Sequence, residues 1–111
     1  MNIIEKIIET GTLTHFDFFS IEQDKVILPD GRKKIRHFIK HPGGVCIIAQ
    51  NEKGEIALVQ QFRHAVNEVT LEFPAGKIKI NDLGNVASSA ERELREETGI
   101  ISESFISLGL I

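Results

Sequence analysis

Four glutamates, Glu91, Glu93, Glu96 and Glu97, stand within seven residues of a 111-residue chain. Carboxylates this close repel one another unless positive charge lies between them. The segment "NVASSAERELREETG" reads as a helix over roughly Val86–Thr98, with Asn85 or Ser88 as its cap and Gly99 placed to end it in the left-handed region. On a 3.6-residue period Ala87, Ala90 and Leu94 form a narrow apolar stripe, while Glu93 and Glu97 share one face. Glu96 lies beside that face, and Arg92 precedes it by one turn and can pair with it. Three converging carboxylates suit a hard divalent cation, Mg²⁺ or Mn²⁺, which takes oxygen ligands and keeps waters and substrate phosphates. A solvated helix face laced with Glu–Arg pairs is the plainer account of the same charges.

The elements that must position this helix are short and extended. "EKIIETGTLTHFDFFSIEQDKVIL" reads as strands with polar breaks, followed by the turn "PDGR" at Pro29–Arg32. "KKIRHFIKH" is a further strand, stopped by Pro42–Gly44. "VCIIAQ" and "IALVQQF" flank the connection Asn51–Glu55, a hairpin turn with Gly54 available for positive φ. Both runs are nearly continuously apolar, which predicts central strands covered on two faces. "TLEFPAG" is a short strand entering a Pro-Ala-Gly loop, and "SESFISLGLI" is a last strand after the helix. Many strands, one helix and a strand make an α+β or α/β arrangement, a mixed β-sheet with helical cover on one face. A second covering helix is missing from this chain.

Composition narrows the partners. Hydrophobic residues make up 41% and charged residues 26% of the chain, and the net charge is −3, so neither a nucleic-acid surface nor a polybasic membrane patch is expected. The basic stretch Gly31–His41 alternates as a strand with one solvated face does. The N-terminus lacks an apolar core of signal-peptide length, and no run approaches a membrane span. The single cysteine, Cys46, excludes an intrachain disulfide and sits in the apolar run "GGVCIIA", where it reads as a small core residue in a reducing compartment. A cytoplasmic protein is expected. His15, His37, His41 and His64 lack metal-ligand spacing.

The order "RELREETGI" is Arg-Glu-apolar-x-Glu-Glu-x-Gly-apolar, a pattern that average composition produces at roughly one position in a million or fewer. It resembles the signature of Nudix hydrolases, which also requires a glycine and a glutamate upstream. The downstream half matches at every specified position. The upstream half departs: Gly76 precedes Arg92 by sixteen positions where the family has fourteen. Counting forward from Gly76 puts Asp82 in the place of the first glutamate, and counting back from Arg92 puts Gly84 there. The loop entering the helix is therefore expected to be abnormal, through either a two-residue insertion or loss of the glutamate.

"HPGGVCIIAQNEKGEIALVQQFRHAVNEVTLEFPAGKI" is similar to the ADP-ribose pyrophosphatase branch, most specifically in "QQFR" and "LEFPAGK". The resemblance implies metal-dependent hydrolysis of the pyrophosphate in a nucleoside diphosphate linked to a second group, ADP-ribose to AMP and ribose 5-phosphate being the leading case. It assigns Glu93 and Glu97 as principal metal ligands, with Glu96 and the Ala75 carbonyl assisting, and Arg92 as the residue that orients the carboxylates. Gly76 and Arg63 would contact the substrate, Glu72 the substrate or its metal, and Arg36 would reach substrate from a neighbouring subunit. It further implies a β extension over residues 1–40 that builds a homodimer, and a partial Nudix domain over 41–111. Family members continue past the last strand into more strands, a second helix and a loop with another catalytic carboxylate. The fold is thus expected to be incomplete at its C-terminus. The competing reading is a truncated, non-catalytic module that binds nucleotide or dimerises.

Overall fold

The computed structural model describes residues 1–111 apart from the side chain of Ile80. It divides into two compact units, Met1–Pro42 and Gly43–Ile111.

The N-terminal unit is an antiparallel meander of β1 (Lys6–His15), β2 (Ser20–Ile27) and β3 (Lys33–Lys40), in that spatial order. The turn at Pro29–Arg32 closes β2 onto β3, and Asp30 holds it by accepting from the Arg32 backbone N–H at 3.1 Å. Period-2 alternation sends Ser20, Asp24 and Val26 of the central strand inward, whereas every residue of β1 and β3 is exposed. Ile7, Leu13, Phe16, Ile35 and Ile39 are among the exposed apolar side chains of this unit.

The C-terminal unit carries the helix, α1 (Val86–Thr98), as expected from its period and caps. The Asn85 side chain accepts from the Ser88 N–H at 3.4 Å, and Gly99, at φ 77°, donates its N–H to the Arg95 carbonyl at 2.9 Å. Beneath the helix lie two short antiparallel strands, β4 (Gly44–Cys46) and β7 (Ala75–Lys77), and a separate hairpin pairs β5 (Val59–Arg63) with β6 (Glu68–Glu72). The core is small: Val45 and Ile47 meet Ala90 and Leu94 of α1, with Ala49, Ile78 and Phe105 packed around them. The α+β class holds, with one helix as cover and the strands distributed over separate ladders. Among the described residues no helix is long and apolar enough to cross a membrane.

Several expectations are corrected here. Val45 and Ile47 face the helix, so alternation turns Cys46 outward, and it is exposed rather than buried. The two apolar runs are not covered on both faces: one helix covers one side only, leaving Ile48, Ile56, Leu58 and Phe62 exposed. Ala75 and Gly76, read as part of a Pro-Ala-Gly loop, belong to strand β7 because β4 supplies its ladder. Residues 101–111 form no strand among the described residues, although Phe105 reaches the core. Ala87 is exposed, and the buried stripe of α1 is Ser89, Ala90 and Leu94. The connection Asn51–Glu55 is the predicted turn, with Gly54 at φ 81° and a bridge between Gln50 and Ile56.

Candidate active site

Burial of Leu94, 1% exposed, fixes the rotation of α1 over β4 and β7. That rotation directs Glu93 and Glu97, one turn apart, at consecutive residues of β7. The Ala75 N–H donates to Glu97 Oε2 at 3.3 Å. At Gly76 the absence of a side chain is required by space, since a Cβ there would overlap the carboxylate of Glu93. Glu93 is mostly buried, its side chain 14% exposed, and accepts from Arg92 Nη1 at 2.6 Å. The other end of the same guanidinium donates to the Lys77 carbonyl at 3.3 Å. Arg92 therefore ties the helix to β7 as well as countering a carboxylate.

Glu96 stands apart. Three residues turn a helix by about 300°, so a residue at i+3 sits about 60° to one side of Glu93 while one at i+4 sits about 40° to the other. Its side chain is 58% exposed and lies 3.7 Å from Arg92 Nη1, a weaker partner than Glu93. The three helix carboxylates consequently do not converge. Among the described residues no group of three or more His, Cys, Asp or Glu side chains is close enough to hold one ion. Glu93 and Glu97 each set a carboxylate against successive residues of β7, and carboxylate oxygens are the donor type a hard divalent cation takes.

Arg63 and Glu72 come from the β5–β6 hairpin. In register Arg63 opposes Glu68, yet its guanidinium reaches along the same face to Glu72, with Nε–Oε2 at 2.8 Å and Nη2–Oε1 at 2.6 Å. The Thr70 hydroxyl donates its one proton to Glu72 and also lies 3.2 Å from the Gln61 carbonyl. The Arg63 hydrogen bonds, with that of Thr70, lower the Glu72 pKa to about 2. Arg63 is correspondingly raised, chiefly by Glu72 and also by the field of Glu97. The hairpin pair and the helix carboxylate thus share one electrostatic neighbourhood. Arg36 lies on β3 in the N-terminal unit, where Glu5 engages it bidentately and lowers its own pKa in doing so.

Two contributors escaped the sequence reading. Ser89, 0% exposed, donates its hydroxyl to Asp82 Oδ2 at 3.2 Å, and Asp82 ends a 3₁₀ turn, Ile80–Asp82, between β7 and α1. Ser89 lies one turn before Glu93, so the helical period alone would have marked it. The Lys77 carbonyl leaves no trace in residue type, because the backbone is the acceptor.

Residues 40–109 match the model of the NUDIX domain. The chain is 36% identical over 95 residues to a methanol dehydrogenase activator of Bacillus methanolicus, covering 86% of this chain and 50% of that protein. It is 32% identical over 108 residues to the ADP-ribose pyrophosphatase of Bacillus subtilis strain 168, covering 93% and 57%. With the ADP-ribose pyrophosphatase of Mycobacterium tuberculosis it shares 34% identity over 93 residues, covering 84% and 44%. It therefore spans about half the length of the curated relatives it matches. A solved structure described as an ADP compounds hydrolase superposes with a TM-score of 0.77 at 19% identity, covering 94% of this chain and 56% of that one. That likeness speaks for the fold.

Proposed function

The chain belongs to the Nudix family, and on that footing we propose that it serves metal-dependent hydrolysis of a pyrophosphate linking a nucleoside to a second group. ADP-ribose is the leading substrate and AMP with ribose 5-phosphate the products. The observation that carries the proposal is the setting of Glu97 and Glu93 against Ala75 and Gly76, with Arg63 within the field of Glu97.

In this reading Glu93, Glu97 and the Ala75 carbonyl would hold the cation, Mg²⁺ or Mn²⁺, with Glu96 assisting from the solvent side. When bound, such a cation neutralises pyrophosphate oxygens and polarises water. The protein's own residues do the rest. Arg92 holds Glu93 in place and anchors the helix to β7. Arg63 exchanges part of its bond with Glu72 for a phosphate oxygen, since a guanidinium fork suits either anion. Glu72, kept ionised, retains the rest of its bond and so orients the Arg63 guanidinium, and Gly76 leaves the room that the Glu93 carboxylate occupies against β7. A homodimer in the cytoplasm belongs to the same proposal, supported by the apolar side chains that the N-terminal sheet exposes and by one lone cysteine. Arg36 would serve a neighbouring subunit's substrate only after leaving Glu5.

The test is release of phosphomonoester products from ADP-ribose with Mg²⁺, comparing wild type with Glu97→Gln. We expect metal-dependent turnover that falls by about 100-fold or more in the variant, the scale of several kcal/mol of charge stabilisation. Turnover indifferent to the substitution sinks the assignment. A second reading, a non-catalytic nucleotide-binding module, draws on Arg92 and Ala75 already occupying the helix carboxylates. Calorimetric heat with ADP-ribose in the absence of any turnover would select it.

A further inference from the structure

The loop between β7 and α1 is two residues longer than the family spacing, and it is where the site ought to fail. The contacts across it are instead in order. Reading up the helix and down the incoming strand, Glu97 takes the Ala75 N–H, Glu93 fills the space above Gly76, Arg92 donates to the Lys77 carbonyl, and Ser89 donates to Asp82. Ser89, Glu93 and Glu97 are successive i+4 positions, so these contacts form one polar seam along one helix face. Its upper end is the Ser89–Asp82 bond, and Ser89 is wholly buried there while Asp82 is half-buried. Ordinary turn bonds brace the acceptor: the Asp82 N–H donates to the Lys79 carbonyl at 2.9 Å, and the Asn85 N–H donates to the Asp82 carbonyl at 2.8 Å.

From this we infer that Asp82 and Ser89 are positioning residues, a latch that sets the register of the seam and so holds Glu93 and Glu97 against β7 despite the lengthened loop. Asp82 stands where forward counting from Gly76 puts the family's glutamate, and its carboxylate is turned to the helix hydroxyl. It acts as a hydrogen-bond acceptor, not as an anionic ligand. The inference rests on the proposed role of Glu93 and Glu97, and it makes a structural claim that survives without that role.

The experiment uses the full chain with Asp82→Ala, Ser89→Ala, the double variant and Asp82→Asn. Two readouts are taken: Mn²⁺ affinity by electron paramagnetic resonance, and amide hydrogen exchange at Ala75, whose N–H ends the seam. Removing either latch partner should weaken Mn²⁺ binding by about tenfold, the usual scale for a group that supports a metal ligand. It should also accelerate exchange at Ala75. The double variant should be no worse than either single one, because both break one bond. Asp82→Asn keeps an acceptor oxygen and should restore both readouts. Additive losses, unchanged exchange at Ala75 in both single variants, or an Asp82→Asn as damaged as Asp82→Ala would overturn the latch. If wild type binds no Mn²⁺, the metal reading falls while exchange at Ala75 still decides the latch.

Discussion

Two arginine–glutamate pairs of the C-terminal unit do opposite things with similar chemistry. Arg92 and Glu93 are sequence neighbours whose side chains are 18% and 14% exposed, and both are committed to the backbone of β7. Arg63 and Glu72 lie nine residues apart on two strands, are 49% and 25% exposed, and touch mainly each other and Thr70. The first pair is held by a helix seated on a core. The second is held by its own attraction on an exposed hairpin, where such pairs contribute little to stability. Rigidity and exchangeability thus sit in different elements. A carboxylate that must stay in place is packed under a glycine, and a guanidinium that must change partners is left in solvent.

The contrast is broken most forcibly at Leu94. Leu94→Ala should cost about 3 kcal/mol in denaturant unfolding, within the usual range for a buried leucine. The seam should loosen with it, while the Arg63–Glu72 pair, which does not touch that core, keeps its titration. A joint loss of both pairs would mean that the hairpin and the helix are one cooperative element. Gly76→Ala comes next. The added methyl displaces the Glu93 carboxylate, whose side chain can swing away, so the stability cost should be near the low end of overpacking, about 1 kcal/mol. The larger change should be in Mn²⁺ affinity, and a variant that binds like wild type would show that Glu93 need not lie over β7.

This division also explains what the sequence disclosed. Helical period, cap and glycine are local, so α1 was legible from Asn85 to Gly99, and with it the shared face of Glu93 and Glu97. The turns at Gly31 and Gly54 were legible for the same reason. What failed was whatever needed a partner to be known. Cys46 looked buried because its run is apolar, yet the one covering helix chose Val45 and Ile47. Glu96 looked convergent until packing of Leu94 set the helix rotation. The register of β5 on β6 sets Arg63 opposite Glu68, and its reach along the face to Glu72 is announced by no residue type. Asp82 was marked by counting from Gly76, but its bond to Ser89 stayed hidden because that link crosses the very loop whose length departs from the family pattern.

The smallest expected effect is the sharpest test of the hairpin's role. Glu72 titrates at about 2 in the folded protein, below its ordinary carboxylate value, because Arg63 first and Thr70 second stabilise the charged form. A depressed folded pKa contributes stability that is present above the ordinary value and is lost as pH falls through the folded one. The contribution is therefore constant at neutral pH and disappears only in strong acid. In Arg63→Ala the midpoint of the Glu72 carboxyl, followed by ¹³C NMR, should rise from about 2 yet stay below the ordinary value, since Thr70 still donates. The unfolding midpoint at pH 7 should barely move, because the pair is exposed. Substrate KM, by contrast, should rise with kcat little changed, the signature of a lost binding contact. A fall in stability approaching that of Leu94→Ala would make Arg63 a structural clamp like Arg92, and the division between a fixed seam and an exchangeable hairpin would no longer stand.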